Sequence, residues 1–545
     1  MSGAGGDRLV GREIATGARP LLVLLFVLLL ARLLTLGMPP LFDTTEGRYG
    51  EIGRAMAASG DWITPMLPGG EPFWAKPPLH FWLTAASIRA FGVNEWAARL
   101  PGFLAALATL LLVYRAARSL RAGREEAMLA VVLLGSSLLL VLLSGVVLLD
   151  VTFTFAVTGA FASFAALLGG ASRRAQGILF FLFLSIGLLA KGPVVLALVF
   201  LPILVWAAAK KRGGALRSLP WGPGVALLLV VVAPWFVLAE RKTPGFCNYF
   251  FIHEHILRYL QSDYGDRYGH GHVSPHGLVW VLAFVAFLPW SPAVIGALRR
   301  SWRARRDEGA TDDGTALLLS WALLPLLFFT FSRSLSLPYV LPSLPPLALL
   351  LARDAAAGGF ARLIPGWGFF LSPVLLLAGA VYGLGTFGGM GGRGLAIPVL
   401  AALLLAAAAA AWRRGARLRM AVQVAIFPLF LATLALALPG GVEEGKSTRH
   451  LRNWVRENSA PPPDEVFFFD GPPLSASFYF GGKARDLRGE EEEIRRLGGN
   501  GGEAVLFVRE DRAKRLGDDS LSLLSQEGKS GRYLVFRVRS KGGRS

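Results

Sequence analysis

The sequence predicts an all-α polytopic membrane protein with a small α/β domain at its C-terminal end, on three observations. Of 545 residues, 53% are hydrophobic and only 17% charged, and the mean hydropathy is +0.50, which is a membrane composition. Apolar runs near the ~20 residues that cross a bilayer recur along the chain. Beyond about Gly440 those runs stop, and charged helical stretches alternate with short apolar strands. Lys and Arg number 56 against 37 Asp and Glu, a formal charge of +19. In a soluble protein that excess would suggest nucleic acid. Here the arginines fall in short clusters between apolar runs, the distribution that orients spans rather than one that grips a duplex. The single cysteine, Cys247, excludes an intramolecular disulfide and any cysteine-based metal cluster.

In chain order, residues 1–19 form a basic tail, expected in the cytoplasm. Residues 20–38 are the first span, read as an uncleaved anchor because no small-residue cleavage site ends the run. Residues 39–99 make a long outer-face loop, LFDTTEGRYGEIGRAMAASGDWITPMLPGGEPFWAKPPL and its continuation. Thr44 or Thr45 caps a short helix there, too charged to cross and expected to lie flat on the membrane, with Glu46, Tyr49 and Gly50 on one side and Arg48 and Glu51 on another. After Pro77-Pro78, LHFWLTAASIRAFG is apolar but shorter than a crossing and reads as re-entrant or interfacial.

The next run, 100–114, ends in Arg115, Arg118, Arg121 and Arg124. Further runs at 128–147, 151–168, 178–190, 194–209, 221–238, 278–298, 317–331, 337–351, 367–384, 395–411 and 422–438 bring the expectation to about thirteen spans, every strong basic cluster falling on one side. Residues 20–439 are thus the membrane domain. Residues 440–545, past an odd number of spans, are expected outside the cytoplasm as an α/β domain: a helix near 450–457, strand EVFFFD, helix GEEEEIRRL, and strands EAVLFV and RYLVFRV.

This topology gathers acids and bases on one rim: Asp43, Glu46, Lys76, Asp150, Lys191, and the series His253, Glu254, His255, Asp263, Asp266, His270 and His272. Asp150 closes LSGVVLLD and opens VTFTFAV, where a lone carboxylate between apolar segments is costly unless paired. It is either functional or an interfacial loop residue. Lys191 in LLAKGPVV is either functional or a snorkelling anchor. FIHEHILRYL sets His253 and His255 two apart, which lacks the i, i+4 geometry of a zinc helix, so a surface or phosphate-contacting role is expected and no metal site.

The residues also carry a resemblance. DTTEGRYGEIGRAMAASGDWITP, FWAKPPLHFWLTAASIRAFGVNEWAARLP, Asp150, LLAKGPV, PWFVLAERKTPGFCNYFFIHEH, LPWSP and LPYVLPSLPPLALLLAR occur in the order seen in glycosyltransferases related to the lipid A aminoarabinose transferase and the protein O-mannosyltransferases, which this chain resembles over roughly residues 20–350. The resemblance implies the C-type glycosyltransferase fold in a bacterial inner membrane, and transfer of a sugar from a polyprenyl phosphate to lipid A, another envelope glycan or a protein. Two positions depart from the family's pattern. Thr45 stands where relatives carry an Asp before Glu-x-Arg-Tyr, with Asp43 two residues upstream, and Leu335 stands where relatives often carry a lysine, leaving Arg333 as the nearest cation.

Displacing a lipid phosphate from an anomeric carbon needs a carboxylate to take or orient the acceptor's proton and cations to hold the leaving phosphate. Asp43 is the expected carboxylate, with Glu46 and Asp150 as alternatives. Lys76, Arg48, Arg333 and Lys191 are the expected phosphate ligands, with Tyr49, His253, Glu254 and His255 in support. Lys76 precedes Pro77-Pro78, which fix the backbone and aim its ammonium. A monophosphate donor obliges no bridging metal, so no cofactor is expected. The partners implied are a polyprenyl-linked sugar, a lipid or protein acceptor and membrane lipids, without nucleic acid. A flippase or transporter of lipid-linked sugars is the competing class, but it should bury its charges near the midplane in broken helices.

Overall fold

The computed structural model describes residues 3–261, 267–268, 274–308, 312–364, 366, 368–386, 396–436, 440–459, 463, 465–499 and 504–538. Among these, nine helices are long and apolar enough to cross a membrane, or ten if Leu278–Ala286 and Ser291–Ser301, bent by 111° at their junction, form one span. Length and composition thus give fewer crossings than the sequence suggests, for reasons visible in the remaining runs. The run at 128–147 breaks at Ser136 and Ser137, whose hydroxyls donate to the Val132 and Leu134 carbonyls at 2.6 and 2.7 Å, a side-chain alternative to the helix ladder. Val194–Ala209 and Ile397–Trp412 are apolar but short.

The first nine helices are α1 (Gly3–Thr35), α2 (Thr45–Ser59), α3 (Leu79–Phe91), α4 (Glu95–Ser119), α5 (Arg124–Gly135), α6 (Leu138–Leu143), α7 (Leu149–Leu168), α8 (Arg173–Lys191) and α9 (Val194–Ala209). Helix α7 is buried on nearly every side because its residues are small or apolar all round, the signature of a central helix. It packs between α4 and α8, and Phe161 stacks on Trp321 with ring centroids 4.2 Å apart.

The 39–99 loop is a folded cap. Helices α2 and α3 pack together, and Tyr49, Phe73 and Phe81 form an edge-on aromatic cluster between them. Thr44 holds the N-cap position of α2 without a side-chain cap bond, and Gly60 ends the helix in the left-handed conformation at φ 73°. Glu51, on the side of the helix it shares with Arg48, pairs with Arg54 at 2.6 Å.

One buried ion pair holds this cap to the membrane helices. The Arg99 guanidinium donates through Nε and NH2 to Glu46 at 2.8 and 3.0 Å, through NH1 to the Leu36 and Pro39 carbonyls at 2.6 and 2.7 Å, and through NH2 to Pro40 at 2.7 Å. Glu46 also accepts from the Phe42 and Val147 amides, each at 3.0 Å. The five guanidinium donors and both carboxylate oxygens are therefore used, which is what makes a buried pair tolerable. A second buried cation, Arg32, reaches the Leu142 carbonyl at 3.3 Å. A Cβ at Gly145 would lie 1.9 Å from its NH2, so a larger residue there would displace the guanidinium.

The C-terminal domain is a five-stranded sheet in the order β2-β1-β3-β5-β4: β1 (Val466–Phe468), β2 (Ala484–Asp486), β3 (Ala504–Arg509), β4 (Leu524–Ser530) and β5 (Tyr533–Val538). Strand β1 pairs in parallel with β2 and β3, and β5 is antiparallel to β3 and β4. Alternate residues feed two cores, Phe467, Leu506 and Val508 on one face and Phe468, Val505 and Phe507 on the other, the period-two pattern of a strand. The expected helices and strands occur, and the short elements β2, β4 and Leu474–Tyr479 add to them.

Arg99→Ala leaves Glu46 buried and unpaired, a loss of about 3–5 kcal/mol. Arg495→Ala, on the surface pair with Asp519, should cost ~0–1 kcal/mol. Thermal unfolding of the two variants in detergent should separate them widely; equal melting temperatures would remove the clamp.

Candidate active site

A cavity of about 380 Å³ opens beside the cap, between the ends of α8 and α9, the segment around residues 254–260 and the helices that follow. Its polar wall holds Lys76, Lys191, Glu254, Arg258 and Tyr339, and its apolar wall Val194, Ala197, Leu260, Phe328 and Phe329.

Lys191 is the last residue of α8, where Gly192 and Pro193 turn the chain into α9. Gly192 has φ 88°, and a Cβ there would meet Phe250 at 2.6 Å and the His255 ring at 2.8 Å, so the Lys-Gly-Pro turn depends on glycine twice over. The Lys191 ammonium pairs with Asp150 in the first turn of α7 and sits 4.2 Å from the Tyr339 ring centroid, a favourable cation–π geometry. Lys76 pairs with Glu254 through Oε1, which also accepts from Arg258 at 2.8 Å. Glu254 Oε2 is buried and has no hydrogen-bond partner among the described residues. Three cations thus face two carboxylates, leaving one positive charge at the end of an otherwise apolar cavity.

A π-helical stretch, Tyr249–Leu257, presents Glu254 and His255 to this cavity; such wide turns recur at functional sites. His255 Nδ1 lies 2.7 Å from the Phe250 carbonyl and Nε2 3.2 Å from that of Lys191. Burial pushes its pKa down, and the ring lies between the stretch and the end of α8. His253 stacks flat on Tyr249 at 5.6 Å and does not line the cavity. In α3, burial lowers the pKa of His80 to about 4, against the pull of nearby Asp150.

Other expected site residues stand elsewhere. Both oxygens of Asp43 are taken by Ser475, from its amide and hydroxyl, each at 2.7 Å. Burial raises the pKa of Asp43 against those bonds. Asp43 therefore fastens the cap to the C-terminal domain, assisted by Tyr479, whose hydroxyl accepts from the Leu41 amide at 2.7 Å and donates to Glu95 at 3.0 Å. A Cβ at Gly47 would come within 2.8 Å of Asp43 Oδ1 and 2.9 Å of the Ser475 nitrogen. Glu46 is committed to Arg99. Neither carboxylate is among the residues that line the cavity, and Asp150 reaches it only through its pair with Lys191.

Arg48 donates to the Tyr268 carbonyl at 3.1 Å and stacks near Phe73, outside the cavity wall. Arg333 is exposed; its backbone pairs with Tyr259 and Ser274, and Ser332 and Ser334 on either side line the cavity instead. Tyr49 is buried beneath the site, and burial pushes its pKa up. Asp263, Asp266, His270 and His272 lie outside the described residues. Among the described residues no group of three or more His, Cys, Asp or Glu is arranged to hold a metal ion. Sequence reasoning missed Arg258 and Tyr339. The signal for Arg258 was its position four after Glu254; Tyr339 had only its place in LPYVLPSLPP.

Residues 21–250 match the family of dolichyl-phosphate-mannose-protein mannosyltransferases. The crystal structure of ArnT from Cupriavidus metallidurans bound to undecaprenyl phosphate superposes with a TM-score of 0.76 at 23% identity, covering 96% of this chain and 99% of that one. The chain has the C-type glycosyltransferase fold. The undecaprenyl phosphate-alpha-4-amino-4-deoxy-L-arabinose arabinosyl transferase of Edwardsiella ictaluri is 31% identical over 355 residues, 62% of this chain and 62% of that protein. Its counterpart in Aeromonas hydrophila is 32% identical over 342 residues, 62% of this chain and 59% of that protein. The aligned region thus spans about three fifths of these curated relatives.

Asp43→Ala and Ser475→Ala remove the same contact from opposite sides, so their stability losses should overlap, with a coupling of roughly 0.5–3 kcal/mol in a double-mutant cycle. Losses that simply add would show that the two residues do not hold the domains together.

Proposed function

We propose that this chain is a membrane glycosyltransferase that moves a sugar from a polyprenyl phosphate carrier to an acceptor at the outer face of a bacterial inner membrane. The observation that carries the reading is the cavity, with one surplus positive charge at its polar end and an apolar wall beyond. A polyprenyl phosphosugar is a phosphodiester with one negative charge and a long apolar tail, and that distribution is its complement. The names of the curated relatives favour an undecaprenyl-phosphate-linked aminopentose as donor, and lipid A, another envelope glycan or a protein remains the class of acceptor.

Lys191, Lys76 and Arg258 take the donor phosphate. As it arrives, Lys191 exchanges its Asp150 counter-ion for phosphate oxygen, leaving the Asp150 carboxylate free beside the reacting centre. Glu254, held by two cations rather than one, stays in place and fixes them. The acceptor's hydroxyl or amine then attacks the anomeric carbon, the bond from that carbon to the phosphate oxygen breaks, the proton passes to Asp150, and polyprenyl phosphate leaves on the cations. The chemistry needs no divalent metal.

Purified protein with an undecaprenyl phosphosugar in detergent tests this: release of undecaprenyl phosphate and labelling of acceptor are expected, unchanged by EDTA. Asp150→Asn and Lys191→Ala should each lower turnover by about a hundredfold or more. Lys76→Ala should weaken donor binding as well as turnover, since the phosphate is charged in ground and transition states alike. Full activity in Asp150→Asn would take the role of base from Asp150, and full activity in Lys191→Ala would sink the phosphate assignment.

The same reading puts the two termini on opposite faces of the membrane, with the basic clusters in support. With an odd number of crossings and the N-terminus in the cytoplasm, a phosphatase reporter that works only in the periplasm should be active when fused after Ser545 and inactive after Arg306. The reverse pattern would put the cavity on the wrong face.

A further inference from the structure

A second and larger cavity, of about 860 Å³, lies where α4, α7 and α9 end. Asp150 begins α7 at the candidate active site, and the far end of that helix, Leu168, lines the second cavity. Twenty residues of α-helix, about 30 Å, separate the two.

The three helices finish there with one hydrogen-bond pattern. The Ala122 amide donates to Ala117, Ala171 to Ala166 and Arg212 to Ala207, at 3.0, 3.0 and 2.8 Å. This six-to-one cap requires a left-handed residue just before the donor, a position that suits glycine. Helix α7 supplies Gly170, at φ 90°, but α4 supplies Arg121 at φ 67° and α9 supplies Lys211 at φ 54°. Among the described residues just three non-glycine residues have a positive φ, and these two both line the second cavity.

Attraction between cations and helix C-termini does not account for the choice, because each helix end already has a cation beside the strained position. In α4, Arg118 lies in the last turn and donates to the Ala122 carbonyl at 2.6 Å; at the end of α9, Lys210 and Arg212 flank Lys211. The carboxylates of the cavity are matched as well. Arg353 donates to Asp312 at 3.0 Å, and Arg212 pairs with Asp313 at 2.8 Å. Arg121 and Lys211 have no ion pair among the described residues, so they are a surplus of two positive charges over one cavity between spanning helices.

We infer that this cavity binds a phosphate group through Arg121 and Lys211, on the membrane face opposite the transfer site. The ligand chemistry is a phosphate with one or two negative charges. Basic pockets between spans suit the headgroup of an anionic phospholipid, and free phosphate presents the same group. The inference stands independently of the transfer reaction.

The test uses the full chain in neutral detergent, with melting temperature read against phosphatidylglycerol, phosphatidylcholine and inorganic phosphate. Wild-type protein should be stabilised by phosphatidylglycerol beyond phosphatidylcholine; a matching rise with inorganic phosphate alone would support the site and assign it to the free ion. The Arg121→Gly, Lys211→Gly double variant should melt at or above the wild-type temperature without anion, because glycine relieves both left-handed positions, yet lose the anion-dependent rise. Arg121→Gln with Lys211→Gln should lose the same rise while keeping the side-chain stems. Lys191→Ala, at the other cavity, should keep it. A rise retained in both double variants, no rise in the wild type, or a rise lost in Lys191→Ala but kept in the double variants would overturn the inference.

Discussion

The pair between Arg99 and Glu46 is the constraint on which the site depends. An unpaired charge at that depth would cost several kcal/mol, so the two side chains and the backbone groups they satisfy must come to one place together. Those groups are the carbonyls of Leu36, Pro39 and Pro40 and the amides of Phe42 and Val147. The end of α1, the start of α2, the first turns of α4 and the entry to α7 are thereby fixed to one another. Asp150 lies three residues beyond Val147, and Lys76 lies in the cap that Glu46 anchors. The distance across the site is therefore set by an ion pair that does not line it.

Charge in the molecule divides into two tasks according to how fully its donors and acceptors are used. Where every donor and acceptor is used, as at Arg99 and Glu46 or at Asp43 and Ser475, the polar groups build: they join cap to membrane helices and cap to C-terminal domain. Where a charged group keeps an unfilled valence beside a cavity, as Glu254 does with Oε2, or is matched to a single partner, as Lys191 and Asp150 are, it can exchange that partner for a ligand. The C-terminal domain joins the first task. By taking both oxygens of Asp43 and packing Phe478 and Tyr479 against Leu41, Tyr49 and Ile52, it stiffens the cap beside the entrance to the cavity.

Much of this was legible in the sequence. Apolar runs, basic clusters and the change of pattern near Gly440 gave the membrane helices, the folded outer loop and the α/β domain, because hydrophobic length and periodicity are local properties of a chain. Lys76, Asp150, Lys191, Glu254 and His255 were also singled out, since a charge beside apolar sequence marks a place where something must compensate it. The span count was less secure: whether a run stays straight, breaks at Ser136 and Ser137 or bends by 111° after Ala286 is decided by what packs against it.

The sequence by itself determined the class of protein, the segments that meet the membrane and the set of charged residues from which a site could be made. Only the tertiary structure decided which partners each of them meets. Read along the chain, Asp43 is the expected carboxylate and Glu46 and Asp150 are its alternatives. Their different partners, Ser475, Arg99 and Lys191, lie 432, 53 and 41 residues away. A carboxylate is shaped by whichever donors surround it in space, and no local pattern encodes donors brought in from that far along the chain.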